Sequence, residues 1–347
     1  MRIAALFSGA GGLDLGFKKA GFDIVWANEY DKTIWETFEK NHPETQLDKR
    51  SIRDIKNDEL PLNIDGLIGG PPCQSWSLAG AMRGINDDRG SLFYEYIRVL
   101  KHLQPKFFLA ENVKGIVSSA HKKEFNNILD LFLEAGYKCK YEVLNACDYG
   151  VPQTRERVFI VGIRNDLDID FKFPKPLKEK VVLENIINGL EDAVPHKKGE
   201  TPNTKIPNNE YHTGSFSTMF MSRNRRRELW EPSFTIQAGG RHAPIHPFSP
   251  PMIKVGVDKF EFQGDFKEVR RLSVRECARI QTFPDDFIFY YNNVNDGYKM
   301  IGNAVPVELA KHIALAVLGS ISSQSSKREY INVNKNIPHT YQNTLLL

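Results

Sequence analysis

An apolar run, IAALF (3–7), stops against the glycine-rich SGAGG, and LDLGFKKAGF follows with helical spacing. The scheme recurs through the first half of the chain. DIVWANEY (23–30), LNIDGLIGG (62–70) and PKFFLAENV (105–113) are apolar runs with polar residues at their carboxyl ends. FNNILDLFLEAGY (125–137) carries a helical apolar stripe closed by Gly136, and RVFIVGIR (157–164) is a further buried strand. Strands alternating with helices predict an α/β fold, a mostly parallel sheet with helices on both faces. Ligands of such sheets bind at the carboxyl ends of the strands, where each of these polar clusters falls.

The 347 residues exceed one small core, and the texture changes near Asp166. Proline, asparagine and lysine become frequent, and short strand-like pieces follow, PSFTIQA (232–238) and MIKVGV (252–257). We read a first domain over 1–172 and a smaller, irregular β-containing region over 173–295, with SVRECARIQTF (273–283) helical. A segment over 296–320 follows, in which the amphipathic VPVELAKHIALAVL (305–318) returns to the first domain. Residues 321–347 read as a polar, weakly ordered tail. No apolar run reads as long enough to cross a bilayer, and MRIAALFSGAGG lacks the shape of a signal peptide. Cys73, Cys139, Cys147 and Cys277 are scattered without CxxC spacing, which predicts reduced cytosolic thiols and no metal site.

Four short segments carry chemistry. FSGAGGLDLG (7–16) lets a ligand approach the backbone at a helix N-terminus, and Glu29, twenty residues beyond Gly9, is placed to accept ribose hydroxyls. The third glycine of the dinucleotide fingerprint and the Walker lysine are missing, which favours a nucleoside cofactor without a pyrophosphate; a glycine turn of packing value alone stays open. In GGPPCQSWS (69–77) two glycines and two prolines build a rigid loop that fixes Cys73, as a nucleophile is presented; a small buried thiol is the alternative. Glu111 follows the strand FFLA, so desolvation favours its acid form, although a helix-capping glutamate fits the pattern equally. Arg155 and Arg157 in QTRER can hold a carboxylate, a phosphate or a polarised carbonyl, or form a surface salt bridge.

FSGAGG, GGPPCQSWS, ENV, QTRERVF, RRLSVRECARIQTFPDDF and YKMIGNAVP stand in the order typical of cytosine-C5 DNA methyltransferases, which the chain resembles over roughly residues 3–318. NEYDKTIW, RGSLFYEYIRVLK, FMSRNR and NDGYKMIGNAVPV resemble the bacterial modification enzymes that act at GGCC. The resemblance implies a Rossmann-like methyltransferase domain over 1–172, a target-recognition domain over 173–295, and methyl transfer from S-adenosylmethionine to a cytosine flipped out of duplex DNA. Cys73 is implied as the nucleophile at C6 and Glu111 as the group at N3. Arg155, with Arg157 beside it, is implied near O2 while orienting the glutamate, and Asn112 shapes the turn against the PPC loop. A cognate restriction endonuclease is implied as functional partner of a monomeric, cytoplasmic enzyme with no membrane association.

For the cofactor, the resemblance implies Phe7, Ser8, Gly9, Gly11, Gly12 and Leu13 around the methionine and adenosine, and Glu29 on the ribose. Tyr30 is implied at the adenine, with Ser51, Ile52, Pro72 and Leu92 lining the pocket and Asn303 and Ala304 closing it. Many members carry an acidic residue for the adenine amino group where this chain has Arg50-Ser51-Ile52. Ser75, Ser77 and Arg83, in the segment after Cys73, are implied to close over DNA. Among the basic residues of the second region, Arg223, Arg225 and Arg241 read as contacts to base edges, and Arg226 and Arg227 as contacts to phosphates. A basic face binding phosphates without discrimination stays open. So do a transfer-RNA cytosine methyltransferase and an inactive DNA-binding homologue. A nicotinamide dehydrogenase is disfavoured by the missing glycine and the PPC loop.

Overall fold

The computed structural model describes residues 1–72, 91–197, 199 and 204–335. In chain order the first part runs β1 (Arg2–Leu6), α1 (Gly12–Lys19), β2 (Asp23–Asn28), α2 (Trp35–Asn41), β3 (Gln46–Asp48) and β4 (Gly66–Gly69). It continues with α3 (Ser91–Leu103), β5 (Phe107–Val113), α4 (Lys122–Glu134), β6 (Tyr137–Asn145) and β7 (Glu156–Arg164). These strands form one seven-stranded sheet in the order β3-β2-β1-β4-β5-β7-β6. All neighbours pair in parallel except β7, which runs against both β5 and β6. Only residues 146–155 join β6 to β7, too few for a crossover helix, so an antiparallel return results.

Side chains of β1 alternate between the two faces as the pleat requires. Ile3 and Ala5 join α1 and the C-terminal helix in one buried layer, while Ala4 and Leu6 join α3 and α4 in the other. The strand order reverses between β1 and β4. Their carboxyl ends therefore open the crevice in which an α/β sheet holds its ligand.

The second part contains α5 (Glu184–Ile187), β8 (Val194–Pro195), β9 (Glu210–Tyr211), β10 (Met252–Gly256), β11 (Lys259–Phe262) and α6 (Val274–Ile280). The strands form two two-stranded sheets, β8–β9 parallel and β10–β11 antiparallel. PSFTIQA, read as strand-like, makes only an isolated bridge from Ser233 to Gln153. Its backbone is committed to the connection before β7 instead: Thr154 N–H donates to Ser233 O and Ile236 N–H to Gln153 Oε1. Buried arginines replace missing ladders here. Arg275 donates to the carbonyls of Pro207, Pro284 and Phe287, and Arg271 to those of His212, Gly214 and Ser215. Ser273 and Glu276 form the capping box that starts α6.

Two helices return the chain to the sheet, α7 (Val294–Asn303) and α8 (Val307–Lys335). An alanine-sized contact fixes α8 on α1: a Cβ on Gly16 would run into that of Ala310, and one on Gly12 would lie 2.5 Å from Val305 O. Two expectations change here. Helix α8 continues past Ser320 to Lys335, because neither proline nor glycine interrupts residues 320–335. Residues 294–323 are apolar and long enough to pass for a membrane span, contrary to the sequence reading. In the fold this stretch is two helices broken at residues 304–306, and Leu309, Ala310, Ile313, Ala314 and Val317 bury one face of α8 in the sheet's own core.

Candidate functional site at the carboxyl edge of the sheet

The turn after β1 is shaped by left-handed backbone at Phe7 (φ 56°), Gly9 (φ 56°) and Gly11 (φ 85°). At Gly11 a side chain would strike the buried His42 ring, which is stacked on Phe38. This geometry brings Gly9 N–H to Glu29 Oε2 at 2.9 Å, and Asp31 N–H donates to Oε1 at 2.7 Å. Burial raises the Glu29 pKa while the backbone donors act against the rise. Asp31 in turn receives Lys299 of α7 at 2.6 Å, which ties the returning helix to the end of β2.

A cavity of about 420 Å³ opens along this edge, within the range of small-ligand sites. Its walls include Phe7, Ser8, Gly9, Gly12, Leu13 and Glu29 on one side, Pro72 on another, and Asn303 and Ala304 from the α7–α8 turn. Glu111, Asn112, Arg155 and Arg157 line the same cavity. Gly11 shapes the turn from behind. Four expected cofactor residues are not among those that line the cavity. Tyr30 is 72% exposed, and Ser51 Oγ caps a 3₁₀ turn by accepting Arg53 N–H. Ile52 is buried in the core with its carbonyl taken by Arg98, and Leu92 packs on that same core. Two acidic residues were missed. Asp31 and Asp14 both line the cavity. A polar residue on the apolar stripe of α1 was the available signal for Asp14.

The opposite wall is set by strand pairing. Glu111 of β5 and Arg157 of β7 lie on neighbouring antiparallel strands, with Val113 opposite Arg157 in the register. Arg157 Nε is 3.1 Å from Glu111 Oε1. Burial raises the Glu111 pKa, and Arg157, then Arg155, pull it back. A Cβ on Gly70 would lie 3.0 Å from Glu111 Oε2, so glycine leaves that oxygen its place. Asn112 Nδ2 donates to Pro71 O at 2.8 Å, and Asn112 Oδ1 accepts Val113 N–H, which anchors the start of the PPC loop. Cys73, Ser75, Ser77 and Arg83 lie outside the described residues.

Arg155 departs from its expected part. It is 2% exposed, and its guanidinium donates to Ile236 O (3.1 Å), Gly302 O (2.9 Å) and Ala304 O (3.1 Å). The side chain thus fastens β7 to the second region and to the α7–α8 turn, and orienting the glutamate falls to Arg157. Burial lowers the Arg155 pKa to about 9.

In the basic stretch, Arg223 and Arg241 are exposed and form no hydrogen bond or ion pair among the described residues. The other three are occupied. Arg225 donates to the carbonyls of Phe220 and Met219 and covers the Phe220 ring. Arg226 pairs with Glu228 and donates to Ser249 O at 2.8 Å. Arg227 pairs with Glu231 at 2.8 Å and stacks over Phe234. The base-edge role expected of Arg225 and the phosphate roles expected of Arg226 and Arg227 would require these side chains to exchange the partners they hold here.

Residues 1–319 match the model of the C-5 cytosine-specific DNA methylase family. The chain is 58% identical over 318 residues to the type II methyltransferase M.MthTI of Methanothermobacter thermautotrophicus, covering 90% of this chain and 96% of that one. It is 55% identical over 339 residues to M.FnuDI of Fusobacterium nucleatum, covering 95% and 98%. Among solved structures, a DNMT2 mutant of Spodoptera frugiperda superposes with a TM-score of 0.67 over 91% of this chain and 99% of that chain; at 21% identity this likeness concerns the fold.

Proposed function

The chain belongs to the C-5 cytosine-specific DNA methylases and is a type II DNA (cytosine-5)-methyltransferase, and from that premise we propose how its residues work and that its target is the inner cytosine of GGCC. The cofactor is S-adenosylmethionine, which supplies an electrophilic methyl group on a sulfonium. The residues present fit it: a cavity of suitable size, a glycine turn, and a Glu29 carboxylate with lone pairs left for ribose hydroxyls after its two backbone bonds. Asn303 and Ala304 close that end, and residues 173–295 serve as the target-recognition domain.

Cytosine C5 is a weak nucleophile. The Cys73 thiolate adds to C6, and the electron pair of the C5–C6 bond moves toward C5 and the N3–O2 side of the ring. Glu111, kept toward its acid form by burial, donates a proton or hydrogen bond at N3 and holds the charge that develops there. Arg157 keeps the carboxyl in place. Transfer of the methyl group to C5 would break its bond to the sulfonium and leave the thioether S-adenosylhomocysteine; a base then removes the C5 proton, the C5–C6 double bond reforms, and Cys73 leaves as thiolate. A target base hidden in the duplex stack reaches this pocket only by flipping.

The observation that carries the proposal is the Glu111–Arg157 pair on the wall of the cavity that the glycine turn and Glu29 also line. Arg223 and Arg241 suit guanine edges, of which a GGCC duplex offers four. The enzyme acts as a monomer on DNA in the cytosol, and its modification shields host DNA from a cognate endonuclease. Tritiated S-adenosylmethionine offered with duplex DNA or with transfer RNA, followed by a GGCC-cutting nuclease, tests the reading. Labelled DNA resistant to cleavage is expected. Label in RNA alone overturns the substrate, and labelled DNA that is still cut overturns the site.

A further inference from the structure

Gln153 and Gln281 are both buried, and neither lines the cavity. Gln153 Oε1 accepts Ile236 N–H at 2.8 Å, and its Nε2 donates to Gln281 Oε1 at 3.0 Å. Gln281 Nε2 carries the chain on to Ile301 O at 2.8 Å and Ala304 O at 3.2 Å. One end of this relay is the second region, and the other is the turn that closes the cavity. Arg155 spans the same two ends through Ile236 O and Ala304 O, so Ile236 is held by both of its backbone groups. Gln153 also stands four residues before Arg157, the partner of Glu111.

From Ile236 the chain reaches Arg241 in five residues. Two contacts leave this segment no slack on α7. A Cβ on Gly302 would lie 2.3 Å from the carbonyl carbon of Gln237, and one on Gly240 would lie 2.7 Å from the Tyr298 ring. Gln237, Ala238 and Arg241 are exposed along it. Gln281 is fixed by its neighbour Thr282, whose backbone is left-handed (φ 62°), a strained state for a β-branched residue. Thr282 Oγ1 donates to Gln281 O at 2.7 Å and accepts Glu308 N–H at 2.9 Å. Two bonded amides add little stability over an apolar pair of the same shape, whereas their directional bonds select one alignment.

We propose that Gln153 and Gln281 are positioning residues for target discrimination. They hold segment 236–241 in one alignment with the wall that carries Glu111 and Arg157, so that Arg241 meets its guanine edge while the target cytosine occupies the pocket. The proposal rests on the reading of Arg241 as a base-edge contact. It makes sequence discrimination depend on two side chains that touch neither DNA nor cofactor.

Steady-state methylation of a GGCC duplex and of a duplex altered at one guanine, with the full chain, tests this. Gln153→Met keeps the length of the side chain and removes its polar atoms. The ratio of kcat/KM between the two duplexes should fall about tenfold, the scale of one base-edge contact. Affinities for S-adenosylhomocysteine and unrelated DNA should stay within about twofold, which shows that the variant is folded. Gln153→Glu keeps the acceptor for Ile236 N–H, loses the donor to Gln281, and should shift the ratio in the same direction. Arg241→Ala should narrow the ratio too, and adding Gln153→Met to it should narrow it no further. An unchanged ratio in both Gln153 variants overturns the proposal. So does equal loss on the two duplexes, the mark of packing alone, and so do losses that add in the double variant. Weakened S-adenosylhomocysteine in both Gln153 variants assigns the pair to the cavity turn and overturns it as well. A ratio that Arg241→Ala leaves unchanged removes the reading of Arg241 and takes this assignment with it.

Discussion

Arg157 Nε lies 3.1 Å from Glu111 Oε1 across two antiparallel strands, and both side chains are largely withdrawn from water. The arrangement sets two opposing influences on one carboxyl group. Burial favours the acid form and the guanidinium favours the carboxylate, with burial dominant. Glu111→Gln keeps the shape but not the proton, so kcat should fall by about 10²–10⁴ while affinity for S-adenosylhomocysteine stays within twofold. Arg157→Ala removes the larger of the two causes that lower the Glu111 pKa. The limb of the kcat–pH profile that reports this group should therefore move to higher pH. A limb that stays in place, or an active Glu111→Gln variant, would remove Glu111 from the chemistry.

Arg155 holds three carbonyls from two distant segments, and Asn303 of the cavity wall sits between two of them, Gly302 and Ala304. Replacing it by alanine leaves buried acceptors unpaired and should cost about 2–4 kcal/mol in urea unfolding. Lysine cannot span three carbonyls with a planar fork and should recover little of the loss. Because the α7–α8 turn loosens, KM for the cofactor should rise more than kcat falls. The reverse split would mean that Arg155 acts at the target base.

The α/β sheet and the crevice were legible because their causes are local: continuous apolar runs, a glycine turn, and polar residues at strand ends. Glu111, Asn112 and Arg157 could be named from a strand and a motif. Their division of labour could not, since it depends on β7 running antiparallel to β5, which places Arg157 rather than Arg155 at the carboxylate. Tyr30, Ser51, Ile52 and Leu92 are not among the residues that line the cavity: Tyr30 is exposed beside the lining residues Glu29 and Asp31, Ser51 caps a turn, and Ile52 and Leu92 pack on the core. The second region was least legible. Its order comes from arginines such as Arg271 and Arg275 bonded to carbonyls far away in sequence, which leave no periodic trace.

Two buried titratable groups near the glycine turn give stability a pH dependence of opposite sign. The Asp14 pKa is raised to about 7, so the folded chain binds more protons than the unfolded one between about pH 4 and 7, and stability falls as pH rises through that window. The shift corresponds to a cost on the order of 4 kcal/mol at pH 8. Burial lowers the His42 pKa to about 4, so its contribution is present above about pH 6.5 and is lost as pH falls toward 4. Asp14→Asn should thus raise the melting temperature of the ligand-free chain at pH 8 and leave it nearly unchanged at pH 4. Equal shifts at both pH values would mean that the carboxyl group does not ionise in the folded chain.

The arginine cluster separates into exposed and internally bonded members, and the two groups should behave differently when truncated. Arg223→Ala and Arg241→Ala remove exposed side chains without internal partners, so melting temperature should hold. If they read guanine edges, each should cost about 1–3 kcal/mol in binding the target duplex and narrow its margin over unrelated DNA. Arg226→Ala and Arg227→Ala break the contacts to Glu228, Ser249, Glu231 and Phe234, and should lower the melting temperature. Their effect on the slope of log affinity against log salt should be small, because a side chain that meets no phosphate releases no counterion. Binding isotherms on target and unrelated duplexes at several salt concentrations, read beside thermal melts, decide the matter. Loss of one unit of salt slope in Arg226→Ala would restore that residue to the phosphate backbone, and unchanged discrimination in Arg223→Ala and Arg241→Ala would move sequence reading to other residues of the second region.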